Sequence, residues 1–376
     1  MEHYLDNSAT TRVCPEAAEA AMHAMCEVYG NPSSTHTKGR EAKKLLDTAR
    51  AQVSTALGCK PGELIFTSCG SESDNWALIG GAEAMSRKGR HIISSQVEHD
   101  AIRRTLEELT RRGYEVTLLA PDSTGAIRPE DVEKALRDDT ILVSLMLVNN
   151  ETGAVTDISA VSQILKAKKS QALLHVDAVQ AFMKIPFTPK SLGADMISIS
   201  GHKIHAPKGI GALYVRDGLR LRPYIMGGSQ ESGRRAGTEA MPAIAAFGAA
   251  CEAARLAMPE SCERMAGLKK YISERLRADI PELELIETAS PHILSISLPG
   301  WRSEVIMNLL ESKEIYISKS SACKKGGRSH VLEAIGLPSR VIDGALRIGL
   351  SRFTTQEDAD ALCLAIKEAH DTLAHR

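Results

Sequence analysis

From about residue 60 to about residue 215, short apolar runs alternate with stretches in which apolar residues recur every three or four positions. The runs suit strands covered on both faces, and the three-to-four spacing suits amphipathic helices packed on a sheet. On this reading Glu63 to Thr67, His91 to Ser95, Tyr114 to Leu119, Thr140 to Val148, Ala172 to Val176, Met196 to Ser200 and Ile210 to Val215 are strands. Between them fall helices at Ser71 to Lys88, Ala101 to Arg112 (stopped by Gly113), Pro129 to Arg137 and Ile158 to Lys168. Two helices precede the alternation, Pro15 to Tyr29 with proline in its permitted first turn, and Gly39 to Leu57 ended by Gly58. The pattern predicts an α/β layered domain around a mostly parallel sheet.

The rhythm changes after about residue 250. A long helical tract, Ala240 to Ala278, contains Pro259, where a break is expected. Short strands follow at Glu284 to Ile286 and His292 to Ser297, then a helix at Ser303 to Ser312, a strand at Ile315 to Ile317, a polar loop at Ser318 to Ser329, a strand at Leu346 to Leu350 and a terminal helix. This reads as a second, smaller α+β domain.

Composition narrows the function classes. The 376 residues carry 46 Lys+Arg against 47 Asp+Glu, a net charge of −1, so no global pull toward nucleic acid or anionic lipid is expected. No apolar run reaches the roughly 18–20 residues of a membrane helix, and the N-terminal Met1 to Asp6 has neither the basic nor the apolar region of a secretory signal. The eight cysteines form no CxxC pair, which favours reduced thiols in a cytoplasmic setting over a disulfide framework or a metal site.

Polar clusters end successive strands, where open α/β sheets bind ligands. Cys69 to Asp74 opens a helix: Gly70 permits a tight turn, and the Gly70 and Ser71 amides with the Ser71 hydroxyl suit an anion. The competing reading is a capping box of Ser71 and Asp74. Ser200-Gly201-His202-Lys203 places a lysine at a buried strand end, where a desolvated amine forms Schiff bases; the alternative is a lysine reaching back to solvent. His175 to Gln180 offers Asp177 to a protonated ring nitrogen and Gln180 as a donor, unless Asp177 merely caps the next helix. His99 can stack on a planar ring or move protons, though a lone histidine is more often structural. Asn149 to Gly153 is a post-strand loop or a plain turn, and Gly227 to Thr238 a basic glycine-rich loop or a link. Taken together, an anion cradle, a Schiff-base lysine, a ring-nitrogen acid and a stacking histidine describe a pyridoxal phosphate (PLP) site.

These residues, with Tyr4 to Thr11, Gly30 to Ser34, Ser321-Ala322-Cys323 and Arg347 to Phe353, resemble the PLP-dependent cysteine desulfurases of the NifS/IscS type, in the fold-type-I, class-V aminotransferase superfamily. The resemblance implies a large α/β domain at 12–255 and a small α+β domain made of 1–11 and 256–376. It implies that Lys203 holds PLP as an internal aldimine, Asp177 pairs with the pyridinium nitrogen, Gln180 bonds the ring oxygen and His99 stacks on the ring. Gly70, Ser71, Ser200 and His202 would bind the phosphate, with Thr238 reaching it from a partner subunit of a homodimer; Gly201 and Asn150 would also contact the cofactor. Asn150 and Arg347 would orient the substrate, L-cysteine. Cys323 would take its sulfur as a persulfide, leaving L-alanine, and pass it to an acceptor protein serving iron–sulfur assembly or tRNA thiolation.

Four cations, Lys319, Lys324, Lys325 and Arg328, lie within five positions of Cys323 and are expected to favour its thiolate. This loop departs from the usual Ser-Ser-Gly-Ser-Ala-Cys-Thr-Ser in being more basic, which bears on the choice of acceptor. Alternative readings are a lyase preferring selenocysteine, an aminotransferase, against which Cys323 argues, and a non-catalytic scaffold, against which Lys203, Asp177 and His99 argue.

Overall fold

The computed structural model describes residues 2–286, 288–320 and 328–373. A seven-stranded sheet runs in the order Leu64–Thr67, Gly211–Val215, Met196–Ser200, Leu173–Asp177, Thr140–Met146, His91–Ser95, Glu115–Leu119. Gly211–Val215 is antiparallel to both neighbours, and all other neighbouring pairs are parallel. Alternate residues of the central strands enter different cores. Ile93, Val143, Leu174 and Ile197 pack on one face, while Ile92, Leu142, Leu173 and Met196 pack on the other. Helices cover both faces, so these strands read as unbroken apolar runs.

A second sheet has four antiparallel strands in the order Ser318–Lys319, Ala345–Gly349, Ile293–Ser297, Glu284–Ile286. Helices Ser303–Ser312 and Gln356–Thr372 pack with it around Leu294, Ile296, Leu346 and Ile348. The N-terminus joins this core: His3–Tyr4 pairs in parallel with Ile315–Tyr316, and Leu5 is fully buried among these residues.

The helix Met241–Asp279 links the two sheets' cores. Met241, Ile244 and Phe247 belong to the first, and Met265, Leu268 and Ile272 to the second. It is long and apolar enough to pass for a membrane span, but half of its most apolar window is buried inside the protein. The break expected at Pro259 does not occur. Pro259 sits on the exposed side, where solvent can satisfy the carbonyl that loses its partner.

Other differences are local. Ser318 and Lys319 leave the expected polar loop to pair with Arg347 and Leu346. Two short helices, His330–Ala334 and Ser339–Asp343, stand where no element is expected. The helix Pro15–Cys26 stops three residues before Tyr29.

Candidate active site

Because the central strands are parallel, the segments following His91–Ser95, Thr140–Met146, Leu173–Asp177 and Met196–Ser200 converge at one sheet edge. There they line a cavity of about 300 Å³, together with the start of the helix Gly70–Met85, Arg347 of the second sheet, and Arg328 and His330. Gly70, Ser71, His99, Asn150, Asp177, Gln180, Ser200, His202, Lys203 and Arg347 all line it. Gly201 does not; it is buried behind the strand end, where an added Cβ would meet Ile210 Cγ2 at 2.8 Å. Thr238 is exposed and lies outside its own chain's cavity. Cys323, with Ser321, Ala322, Lys324 and Lys325, falls outside the described residues.

The anion cradle is open. An added Cβ at Gly70 would meet Val179 Cγ2 at 2.8 Å and Ser200 Cβ at 3.4 Å, and the buried Ser200 hydroxyl has no partner. The competing reading, a capping box, is absent: Cys69 occupies the N-cap position without a side-chain capping bond, and Asp74 is buried. Glu72, not Asp74, reaches back, accepting from the Ser68 amide at 2.7 Å and pairing with Arg235. Arg50 makes two hydrogen bonds to Glu231, so the basic glycine-rich loop is fastened to the large sheet's layer.

Asp177 ends its strand buried, on the cavity wall, and accepts from the Val179 amide at 2.9 Å. Burial pushes its carboxyl up, while that amide bond, His99 and Lys203 pull it down. Asp74 lies behind it. Burial and then the Asp177 charge hold Asp74 well above the usual carboxylate range, so the pair favours one proton and one charge. Glu98, fully buried, accepts from Ser95 Oγ at 2.6 Å and from the Met146 amide at 3.2 Å, and burial raises it to about 8.

Lys203 closes a short 3-10 turn, Gly201–Lys203, and its amine donates to the carbonyls of Ser8 at 2.6 Å and Ala9 at 2.7 Å. Burial pulls the amine down to about 7, with Arg347 pushing the same way. His202 falls to about 4 through burial and then the Lys203 charge. His99 caps the helix Asp100–Arg111, its Nδ1 accepting from the Ala101 amide at 3.1 Å, so a neutral ring carries its hydrogen on Nε2.

Arg347, 2% exposed, donates to the Asn150 carbonyl at 2.9 Å, Ser318 Oγ at 2.8 Å and Asp6 Oδ1 at 3.2 Å, and its Nε has no partner. Both Nη2 hydrogens are thus taken, which leaves the charge and the second Nη1 hydrogen for a carboxylate. Beside it Glu151 is buried and raised to about 7 by desolvation; it accepts from Ser329 Oγ. The cations flanking Cys323 are partly neutralised: Lys319 pairs with Glu304 at 3.2 Å and Arg328 with Asp343 at 2.8 Å, which weakens their expected pull on that thiol.

Several site residues escaped the sequence reading. Ser8 and Ala9 reach Lys203 across 195 and 194 positions, and Glu151 meets Ser329 across 178, separations that leave no local pattern. Asp74 could have been suspected as a charge on the inner side of an otherwise apolar helix.

The sequence matches the Aminotransferase class-V family over residues 3–362. It is 42% identical to a cysteine desulfurase of Nostoc sp. over 98% of this chain and 93% of that one. It is 41% identical to the cysteine desulfurase IscS of Methanosarcina thermophila over 97% and 91%. Among solved structures, a NifS-like protein superposes with a TM-score of 0.93 at 38% identity, covering 99% of this chain and all of the other. The chain belongs to the class-V aminotransferases and, among them, to the PLP-dependent cysteine desulfurases.

Proposed function

We propose that Lys203, Asp177, His99, Asn150, Arg347 and Cys323 carry the desulfuration of L-cysteine in this chain. The residues present suit PLP: a partnerless Ser200 hydroxyl and a glycine-lined helix start for its phosphate, and a buried carboxylate for its ring nitrogen. Gln180 and the His99 ring line the cavity beside that position. When bound, PLP supplies an electron sink for the carbanion left at the substrate Cα.

Arg347 takes the substrate carboxylate by its charge and its remaining Nη1 hydrogen, with Asn150 alongside. The Lys203 amine removes the Cα proton; an amine titrating near 7 is largely neutral just above that pH and is a competent base. His99 moves protons beside it. The Cys323 thiolate then attacks the substrate sulfur: the substrate C–S bond breaks, an S–S bond forms, and protonation of the remaining carbon frame yields L-alanine. L-Cysteine and the Cys323 thiol thus give L-alanine and the Cys323 persulfide, with no outside oxidant.

The observation that carries this reading is the convergence of Lys203, Asp177 and Arg347 on one cavity from three separate strands. Lys203→Ala should abolish the visible cofactor band. Cys323→Ser should keep the band but lose alanine production and the Cys323 peptide one sulfur atom heavier. Alanine formation undiminished in Cys323→Ser would overturn the assignment of the sulfur carrier.

The functional unit is a homodimer in which Thr238 serves the neighbouring site. Exposed Met22, Met25, Tyr224, Ile225 and Met226 support it as apolar surface for a second copy to cover. Inactive Lys203→Ala and impaired Thr238→Ala proteins should regain activity when mixed and exchanged; no regain sinks the shared site. The acceptor is a thiol-bearing protein of iron–sulfur assembly or tRNA thiolation, in the cytoplasm. The seven described cysteines, all free, suit a reducing compartment.

A further inference from the structure

We propose that the turn from Asp6 to Ala9 is the seat of the free Lys203 amine, and that Asn7 is a positioning residue which, with Gly349, holds that turn so the amine's lone pair faces the cavity. The inference rests on the reading of Lys203 as the amine that moves the Cα proton.

A neutral amine has two hydrogens and one lone pair. Here Nζ lies within bonding distance of two carbonyl oxygens from consecutive residues, 2.6 Å from Ser8 and 2.7 Å from Ala9. With both hydrogens so engaged, rotation about the Cε–Nζ bond stops and the lone pair takes the one remaining corner; Lys203 lines the cavity, and the proposed seat turns this corner toward it. A base fixed in this way needs no further ordering when the substrate arrives. On proton transfer the Cα–H bond breaks, its electron pair stays on the substrate, and Nζ gains a third hydrogen. The carbonyls hold the other two, so the new one remains aimed at the cavity for return.

The turn is built for close tolerance. Asn7 Nδ2 donates to the Gly349 carbonyl at 2.9 Å and to the Tyr4 carbonyl at 3.0 Å. The Ala9 amide closes the turn on the Asp6 carbonyl at 3.0 Å. Gly349 lies so close that a Cβ there would stand 2.5 Å from the Ser8 nitrogen and 2.6 Å from Ser8 Oγ. On the opposite side the Thr11 amide and hydroxyl both donate to the His202 carbonyl at 3.0 Å, tying the segment to the residue before Lys203. Gln180 Nε2 also donates to the Ser8 carbonyl, at 2.8 Å, and fixes that oxygen from a third direction. The amine and its acceptors therefore belong to one clamped unit, although Asn7 itself touches neither Lys203 nor substrate.

The test uses L-alanine, whose Cα hydrogen can exchange with heavy water without any sulfur chemistry and so without Cys323. In Asn7→Ala holoenzyme, exchange at saturating alanine should slow about tenfold, with half-saturation within about twofold of wild type. Gly349→Ala, which displaces Ser8 by bulk and not by a lost bond, should act in the same direction. A second measurement is independent of turnover: the apoprotein of each variant should capture PLP about fivefold more slowly at fixed pH, because the attacking lone pair is no longer aimed, while reaching the same final visible band. Exchange and capture at wild-type rates in both variants would overturn the proposal. So would a loss confined to half-saturation, which would assign the turn to Arg347 through Asp6 instead. If Lys203→Ala retains the visible band, the reading of Lys203 fails first; if it loses the band while the turn variants behave as wild type, only the seat fails.

Discussion

Glu98 offers a quantitative check on the electrostatics behind the site. Its carboxyl is fully buried, and burial raises it to about 8 from the ordinary 4.5. Below pH 4.5 the folded and unfolded chains both carry the proton, and nothing is lost. Between 4.5 and 8 the unfolded chain releases a proton that the folded chain keeps, so stability falls as pH rises and levels off above 8. At about 1.4 kcal/mol per pH unit, the loss between pH 5.5 and 8 is about 3 kcal/mol. Glu98→Gln cannot ionise and removes this dependence. Its oxygen can still accept from Ser95 and Met146, while its NH2 stands where Oε2 has no partner, a fixed cost of about 1–3 kcal/mol. Urea unfolding of the apoprotein at pH 5.5 and 8, followed by circular dichroism, should show Glu98→Gln less stable than wild type at the lower pH and level with it or ahead at the higher. Two parallel pH profiles would refute the argument, since they would mean that Glu98 is ionised in the folded protein.

Arg347→Lys keeps the charge but has only three hydrogens, too few to hold Asn150, Ser318 and Asp6 and still offer one to a carboxylate. The KM for L-cysteine should rise about tenfold or more with the visible band intact. Glu231→Gln leaves the Arg50 guanidinium, 16% exposed, without its charge partner and should lower stability by about 3 kcal/mol in a denaturant titration. The pH profile of Cα-hydrogen exchange should rise through a pKa set by groups of the loaded enzyme, and Arg347→Met should shift it upward, because the Arg347 charge favours the neutral amine.

The large sheet was legible because its strands are covered on both sides. His91–Ser95 and Met196–Ser200 appear where the apolar runs end, each run feeding two cores at once. The post-strand clusters were legible for a related reason: charges at the end of a buried run need a purpose or a partner. Legibility ended where meaning depends on distant chain. Ser318 and Lys319 look like loop and become a strand only because Arg347 and Leu346 lie opposite. Pro259 carries a strong local signal against helix, overridden by apolar packing before and after it. The alternative capping pattern of Ser71 and Asp74 does not form because Asp74 is drawn inward, against Asp177 and His175.

The helix Met241–Asp279 has a mechanical corollary. Thirty-nine residues of continuous rod, rooted at one end beneath the cofactor sheet and at the other beneath the sheet that carries Arg347, act as a common axle. Swinging one half against the other would have to flex that axle, so the helix resists any change in the spacing of the two halves.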